Sequence, residues 1–303
     1  MTFFSATSES RLIDYLKERG FTRTKIKQLL KHRAIEVNGV VEKKLDRLLQ
    51  KGDRISLLKD TKESRVIPSL GIMVVYEDDA LIVTEKPAGL LTITTEKEKT
   101  KTVYFQLNQY LKQRAHGTGE RVFIVHRLDR DTSGLLVFAK SQEIKRILQG
   151  NWKKVEKRYY AVVEGTPSKK EGRIESCLSE TKSLKVYSNH RSGMGKPAQT
   201  HYRVITQNRL YALLDILLET GRKHQIRVHL ADIGHPVAGD KKYGARTDPF
   251  SRLGLHAYLL SFKHPVNNKP MHFVSRIPKK FGLTDEKNIH MPSSHTSSFR
   301  QRK

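Results

Sequence analysis

Residues 126–134 read HRLDRDTSG and lie between two apolar runs, RVFIV (121–125) and LLVFAK (135–140). The flanks are rich in β-branched and aromatic residues and are predicted as strands. Asp, Thr, Ser and Gly between them are turn formers. The stretch therefore reads as the tip of a hairpin rooted in a core, with Asp129 set between Arg127 and Arg130. An ordinary turn would use Asp129 only to bond backbone amides. A carboxylate placed among guanidiniums can also be a reactive group kept ionised by its neighbours. A glycosidase-like pair would need a second acid, and Asp131 is only two residues on, in the turn itself. Any chemistry here rests on one carboxylate.

Outward from this stretch, the chain reads as an α+β protein with a mixed or antiparallel sheet flanked by helices. IMVVYEDDALIVTEKP is predicted as a hairpin ending at Pro87, and GLLVFAK, YYAVVEG, THYRVI and YALLDILLE as strands. Between them TVYFQLNQYLKQRA, SQEIKRILQGNW and GRKHQIRVHLADIG read as helices, the last capped by Gly234. Residues 1–60 form a separate pattern of two helices and two short strands. Leu12, Tyr15 and Leu16 face inward on the first helix, Ile26, Leu29 and Leu30 on the second, with an Asn38-Gly39 turn after them. Residues 61–70 read as a linker, 71–283 as the larger domain and 284–303 as a disordered basic tail.

Composition narrows the function. The 303 residues carry 57 Lys and Arg against 31 Asp and Glu, a net charge of +26. That field attracts polyanions. A membrane is disfavoured, because no apolar run approaches the roughly 18 residues of a spanning helix. The N-terminus lacks the pattern of a secretory signal, and Cys177 is the only cysteine; both point to the reducing cytoplasm. Cys177 sits in an alternating strand beside glutamates and reads as packing. HRSGMGK lacks phosphate-loop spacing. His224 and His229 are five apart and would lie on different helix faces, so no metal or other cofactor is expected.

HRLDRDTSGLL resembles the HRLDxxTSG motif of RluA-type pseudouridine synthases. EDDALIVTEKPAGLL (77–91), KRYYAVVEG (157–165), TGRKHQIRVHLADIGHPVAGDKKYG (220–244) and LHAYLLSFKHP (255–265) resemble further motifs of that family in order and spacing. The N-terminal pattern resembles the alpha-L RNA-binding module that many members carry. The resemblance implies a pseudouridine synthase catalytic domain in which Asp129 is catalytic, Arg227 pairs with it and Tyr159 stacks on the uracil. It also implies an RNA partner: ribosomal RNA of the large subunit, or transfer RNA, bound by a monomer. Arg23, Lys25, Lys27, Lys31 and Arg33 of the N-terminal module, and Arg127, Arg222 and Lys223 of the larger domain, are the expected RNA contacts. Arg127 would fill the space of an extruded base or hold a phosphate. Two departures bear on the substrate: Lys223 stands where Thr or Ser is common, and LLTIT follows Pro-Ala-Gly in place of a His-bearing version. The competing readings are an RNA-binding or ribosome-assembly protein without activity, and a DNA-binding protein, which no helix-turn-helix or zinc module supports.

Overall fold

A computed structural model describes residues 2–31, 35–38, 40–42, 44–57, 65–67, 71–114, 121–189 and 194–282. The chain divides into two compact units, residues 1–84 and 85–303.

In the first unit, helices α1 (Leu12–Lys17) and α2 (Arg23–Lys31) accompany a small sheet. That sheet is built from β1 (Thr2–Ser5), β3 (Ile35–Val37), β4 (Val40–Val41) and β6 (Arg54–Leu57), in the order β1-β6-β3-β4. A second pair joins β2 (Ser10–Arg11) to β5 (Leu48–Leu49). Leu12, Tyr15, Leu16, Ile26, Leu29 and Leu30 are all buried in one core with Ile35, Val37 and Ile55, as the helical spacing requires. Asn38 takes the left-handed conformation (φ 53°) that its hairpin turn demands. Strand β1 is an addition to the sequence reading: TFFS is too short to show a period, and pairing with β6 makes it a strand. Further along, β7 (Arg65–Ile67), inside the stretch read as a linker, pairs with β8 (Ile72–Glu77). The turn from β8 into β9 (Leu81–Lys86) is closed by Asp78, whose Oδ1 accepts from the amides of Ala80 and Leu81, both at 2.8 Å. The remainder of the expected linker and the tail 284–303 lie outside the described residues.

The second unit holds the strands β10 (Phe123–Ile124), β11 (Ser133–Ala139), β12 (Glu156–Glu164), β13 (Glu171–Glu180), β14 (Val186–Asn189), β15 (Lys196–Gln207), β16 (Tyr211–Leu218), β17 (Leu255–Lys263) and β18 (Pro270–Val274). They run in the order β14-β13-β15-β16-β12-β17-β11, with β10 added to β11 and β18 to β17. All these pairings are antiparallel except β11 with β17, so the sheet is mixed. Every residue of β11 is buried, which explains its unbroken apolar run. Helices α3 (Val103–Arg114), α4 (Gln142–Gly150) and α5 (Gln225–Asp232) complete the unit. Ile226 and Leu230 of α5 pack on Leu214, Ile216 and Tyr202 of the sheet. No helix among the described residues is long and apolar enough to cross a membrane. Cys177 lies half-buried on β13.

Candidate active site

The site is built where β10 stops pairing. Only Phe123 and Ile124 of the predicted strand RVFIV face β11; from Val125 the chain peels away to carry Asp129. Several bonds hold this departing loop. His126 Nε2 accepts from the Val137 amide at 3.1 Å, and its ring packs 4.5 Å from that of Trp152. Thr92 Oγ1 donates to the Leu128 carbonyl (2.8 Å) and accepts from the Leu128 amide (3.2 Å). Lys86 is fully buried, and its Nζ donates to the carbonyls of Pro87 (2.9 Å), Leu90 (2.7 Å) and Arg130 (2.8 Å). Burial pulls the Lys86 ammonium down to about 7, against the charges of Asp131 and Asp129, which favour it. Three carbonyls match the three donors of an ammonium. Lys86 thereby ties the Lys-Pro-Ala-Gly loop to the residue that follows Asp129.

On the far side of the loop, Ser133 and Gly134 start β11 opposite His256 and Ala257 of β17. Gly134 has φ 115°, and a Cβ there would fall 2.1 Å from the Ala257 carbonyl oxygen. Only glycine permits this approach. Ser133 belongs to a chain of hydrogen bonds with one direction. Arg252 Nη2 donates to Ser133 Oγ (2.6 Å), which pairs with His256 Nδ1 (2.7 Å). His256 Nε2 pairs with Ser275 Oγ (2.9 Å), which donates to Glu85 Oε1 (2.7 Å). A guanidinium can only donate and a carboxylate can only accept, so each hydroxyl hydrogen points toward Glu85 and His256 carries its proton on Nε2. Burial keeps His256 neutral, at about 4.

Arg227 projects from α5 toward Asp129. Its Nη1 donates to Asp129 Oδ2 at 3.2 Å. Its Nε and Nη2 donate to the two oxygens of Asp240, at 2.6 and 2.7 Å. This is a bidentate fork, and the Asp240 side chain is completely buried. Asp240 thus fixes the guanidinium, leaving one edge to Asp129. The Tyr243 ring lies 5.0 Å from the same guanidinium. Asp129 keeps about a fifth of its side chain exposed, and its Oδ1 has no protein partner among the described residues.

His224 comes within 3.8 Å of Asp129 Oδ2 through Nε2. The sequence pattern starts the helix near Gly221, yet α5 begins at Gln225 because His224 adopts a left-handed conformation (φ 54°). The turn before it is fastened by buried Gln225, whose Oε1 accepts from Thr220 Oγ1 (2.8 Å) and the Arg222 amide (2.9 Å). The Tyr243 hydroxyl accepts the Val186 amide at 3.2 Å and lies 2.7 Å from His224 Nδ1. In the tautomer with its proton on Nε2, the nitrogen that faces Asp129, His224 accepts from the Tyr243 hydroxyl through Nδ1. Burial pulls His224 down to about 4, so it is neutral at pH 7 even beside the Asp129 charge that favours the cation.

Tyr159 lies on β12, where a bulge between Arg158 and Tyr159 shifts the register with β17. Bulges re-aim side chains, and here the Tyr159 ring borders an open pocket of about 80 Å3, room for several waters. Burial, with the Asp129 charge second, raises the Tyr159 phenol above its ordinary value, so it stays neutral. Asp129, Arg127, Arg222, His224 and Arg227 border the same pocket, and Leu128, Leu218 and Ile226 give it apolar walls.

The structure therefore brings Asp129, Tyr159, Arg227, Arg127 and Arg222 together. Arg127 and Arg222 are exposed at the rim, and Lys223 pairs with Glu180. Arg23 and Lys27 are exposed on α2 of the first unit; the side chains of Lys25, Lys31 and Arg33 lie outside the described residues. Asp240, His224, Tyr243 and Lys86 were missed as site residues. Asp240 precedes two lysines in GDKK and looks like a solvated turn residue; only its spacing from an apolar helix carrying one arginine hinted otherwise. No group of three or more His, Cys, Asp or Glu placed to hold a metal ion occurs among the described residues.

Comparison with known proteins gives the family. Residues 80–232 match the RNA pseudouridylate synthase family and residues 10–55 the S4 domain. The RNA pseudouridine synthase YhcT of Bacillus subtilis is 35% identical over 257 residues, 80% of this chain and 82% of that protein. An RNA pseudouridine synthase of Aquifex aeolicus is 34% identical, covering 92% of this chain and 94% of its own. The ribosomal large subunit pseudouridine synthase D of Pasteurella multocida is 32% identical over 86% of this chain and 85% of that protein. Among solved structures, human RNA pseudouridylate synthase domain containing 4 has the same fold, with a TM-score of 0.59 at 24% identity over 69% of this chain and 89% of that one. By sequence match and extent, the chain belongs to the RNA pseudouridylate synthase family and is an RNA pseudouridine synthase with an S4 domain.

Proposed function

We propose that the chain isomerises uridine in large-subunit ribosomal RNA and that Asp129 is its single catalytic carboxylate. The observation that carries this reading is the pocket lined by both Asp129 and Tyr159, where Arg227 fastens Asp129 through Oδ2 and Oδ1 has no protein partner among the described residues. The reaction breaks the bond from N1 to C1′ and joins C5 to C1′; the proton leaving C5 is balanced by one gained at N1. It needs no electron transfer. It needs an ionised group at the reacting nucleoside and walls that keep the freed uracil in place. Asp129 supplies the first, Arg227 and His224 steady it, and Tyr159 with the apolar walls supplies the second. A neutral phenol ring stacks on a base with roughly 1–3 kcal/mol per base. A base inside folded RNA must first be extruded, and Arg127, exposed at the rim, is placed to fill the gap or hold a phosphate.

The ribosomal target is supported by relatives named for the large subunit, by the S4 match and by the +26 charge. In this reading a monomer acts with residues 1–60 as the RNA-binding part and 71–283 as the catalytic part, in the cytoplasm and without a cofactor. The test is a pseudouridine map of total RNA from a strain lacking the gene, rescued with wild type or Asp129→Ala. Sites in large-subunit RNA should vanish and return only with wild type. A vanished site in transfer RNA would replace the substrate. Restoration by Asp129→Ala would refute the assignment of Asp129.

A further inference from the structure

The pocket at Asp129 does not close at Arg222. Gly221 and Arg222 also form a wall of a larger trough of about 490 Å3. Its floor follows from strand alternation. Leu178 and Glu180 are two apart on β13 and share a face. Leu178 pairs with Lys196 of β15, and Glu180 with Val186 of β14. Leu178 and Val186, packed against Val228 of α5, leave only small apolar edges in the lining, which Lys196 and Glu180 share. Gly195, at φ 102°, lets β15 begin this close to β13: a Cβ there would lie 2.8 Å from the Leu178 carbonyl oxygen.

The charges of the trough are unequal in their commitments. Lys223 is paired with Glu180. Lys196 is exposed and has no side-chain partner among the described residues. Arg222 is exposed, and its Nε is fastened to the Pro197 carbonyl at 3.1 Å, which holds the guanidinium at the junction of trough and pocket. Two cations without an ion-pair partner among the described residues, in a trough continuous with the pocket of the reacting nucleoside, suit an anionic group attached to a flat, partly apolar one.

The geometry points to a second nucleotide subsite, taking the residue next to the target uridine in the same RNA strand. Its phosphate lies on Arg222 and Lys196 and its base in the trough, with an amino group directed to Glu180. This rests on the RNA-modifying reading of the Asp129 pocket and adds a specificity-determining contact to it. A carboxylate accepts from the exocyclic amino group of cytosine, adenine or guanine, whereas uracil would turn a carbonyl toward it.

The test uses stem-loop RNAs containing the mapped target uridine and labelled with tritium at C5, one series varying its 5′ neighbour and one its 3′ neighbour through all four bases. Release of tritium reports turnover by the full-length protein. In one series, wild type should favour amino-bearing bases over uracil by about fivefold or more in kcat/KM, and Glu180→Gln, whose amide can also donate, should reduce that preference to near one. Lys196→Ala should raise KM about threefold with kcat within twofold, and flatten the salt dependence of binding by about one phosphate contact. Equal rates with all neighbours in both series, or an unchanged KM in Lys196→Ala, would overturn the subsite while leaving the activity intact. No tritium release by wild type from any of these RNAs would overturn the functional reading, and the subsite with it.

Discussion

Asp240 is the residue whose removal separates orientation of the site from its chemistry. It does not border the pocket, yet it holds Nε and Nη2 of Arg227 at 2.6 and 2.7 Å with its side chain completely buried. Asp240→Asn keeps the shape but offers one acceptor where the fork needs two, and turns an amide NH2 toward a guanidinium NH2. One charge-assisted bond worth about 1.5–3 kcal/mol is lost, and the Arg227 charge, 12% exposed, keeps only Asp129 for balance. Breaking one side of a buried pair costs about 3–5 kcal/mol, so a loss near 3 kcal/mol is expected. For a unit of this size that corresponds to a fall in Tm of roughly 6–12 °C. Below the new Tm the variant should fold, and Arg227, drawn fully toward Asp129, should no longer hold it in the reactive geometry. The expectation is a kcat about 100-fold lower with KM within threefold, since a misplacement of about 1 Å has an effect of that order. Tritium release at 25 °C, beside thermal unfolding, reads both. A variant with wild-type kcat would show that the fork does not orient the site. One with wild-type Tm would show that the buried pair contributes no net stability.

Lys86→Met should leave the carbonyls of Pro87, Leu90 and Arg130 without their shared donor, so amide hydrogen exchange should rise in 87–91 and 128–132 and kcat should fall at least tenfold; unchanged exchange there would refute the tie. Gly134→Ala, with its positive φ and a Cβ 2.1 Å from a carbonyl oxygen, should cost more than ~2 kcal/mol, read as a lower urea midpoint, while Gly150→Ala, where nothing lies within 4 Å, should not. His256 and His126 have folded values lowered by burial to about 4 and about 3. The unfolded chain takes up protons near pH 6.5 that the native state refuses, so this stability is full above about 6.5 and is lost as pH falls toward 4. Acidification from pH 7 to 5, above the range where unfolded carboxylates titrate, should cost up to ~2 kcal/mol through His256 alone; a flat urea midpoint across that interval would count against buried neutral histidines.

What the sequence made legible is the part encoded locally. The inward faces of α1 and α2, the hairpin turn at Asp78 and the glycine that starts β11 follow from periodicity and backbone preference. Asp129 stood out because its motif is dense in residues that a plain turn has no use for, and Arg227 through the resemblance of its stretch to a motif of the family. Three kinds of feature were invisible. Strand β1 is too short to carry a period and exists through its partner, and nothing in RVFIV shows that only Phe123 and Ile124 pair with β11. Helix α5 starts late because His224 is left-handed and Gln225 fastens the turn before it through Thr220 and Arg222, which the helical pattern of those residues does not show. Asp240, Tyr243 and Lys86 act over distance, and nothing local distinguishes a buried Asp or Lys from the many that face water.

The chain from Arg252 through Ser133, His256 and Ser275 to Glu85 has a consequence for how the protein can vary. Each link is oriented by its neighbours, so replacing any one residue leaves those on either side with the wrong donor or acceptor. The first substitution removes most of what the set contributes, and a second in the same set removes little more. Single changes at these five positions should therefore be poorly tolerated and strongly sub-additive in pairs, and the five should drift only when all are exchanged together for residues that pack without polar groups.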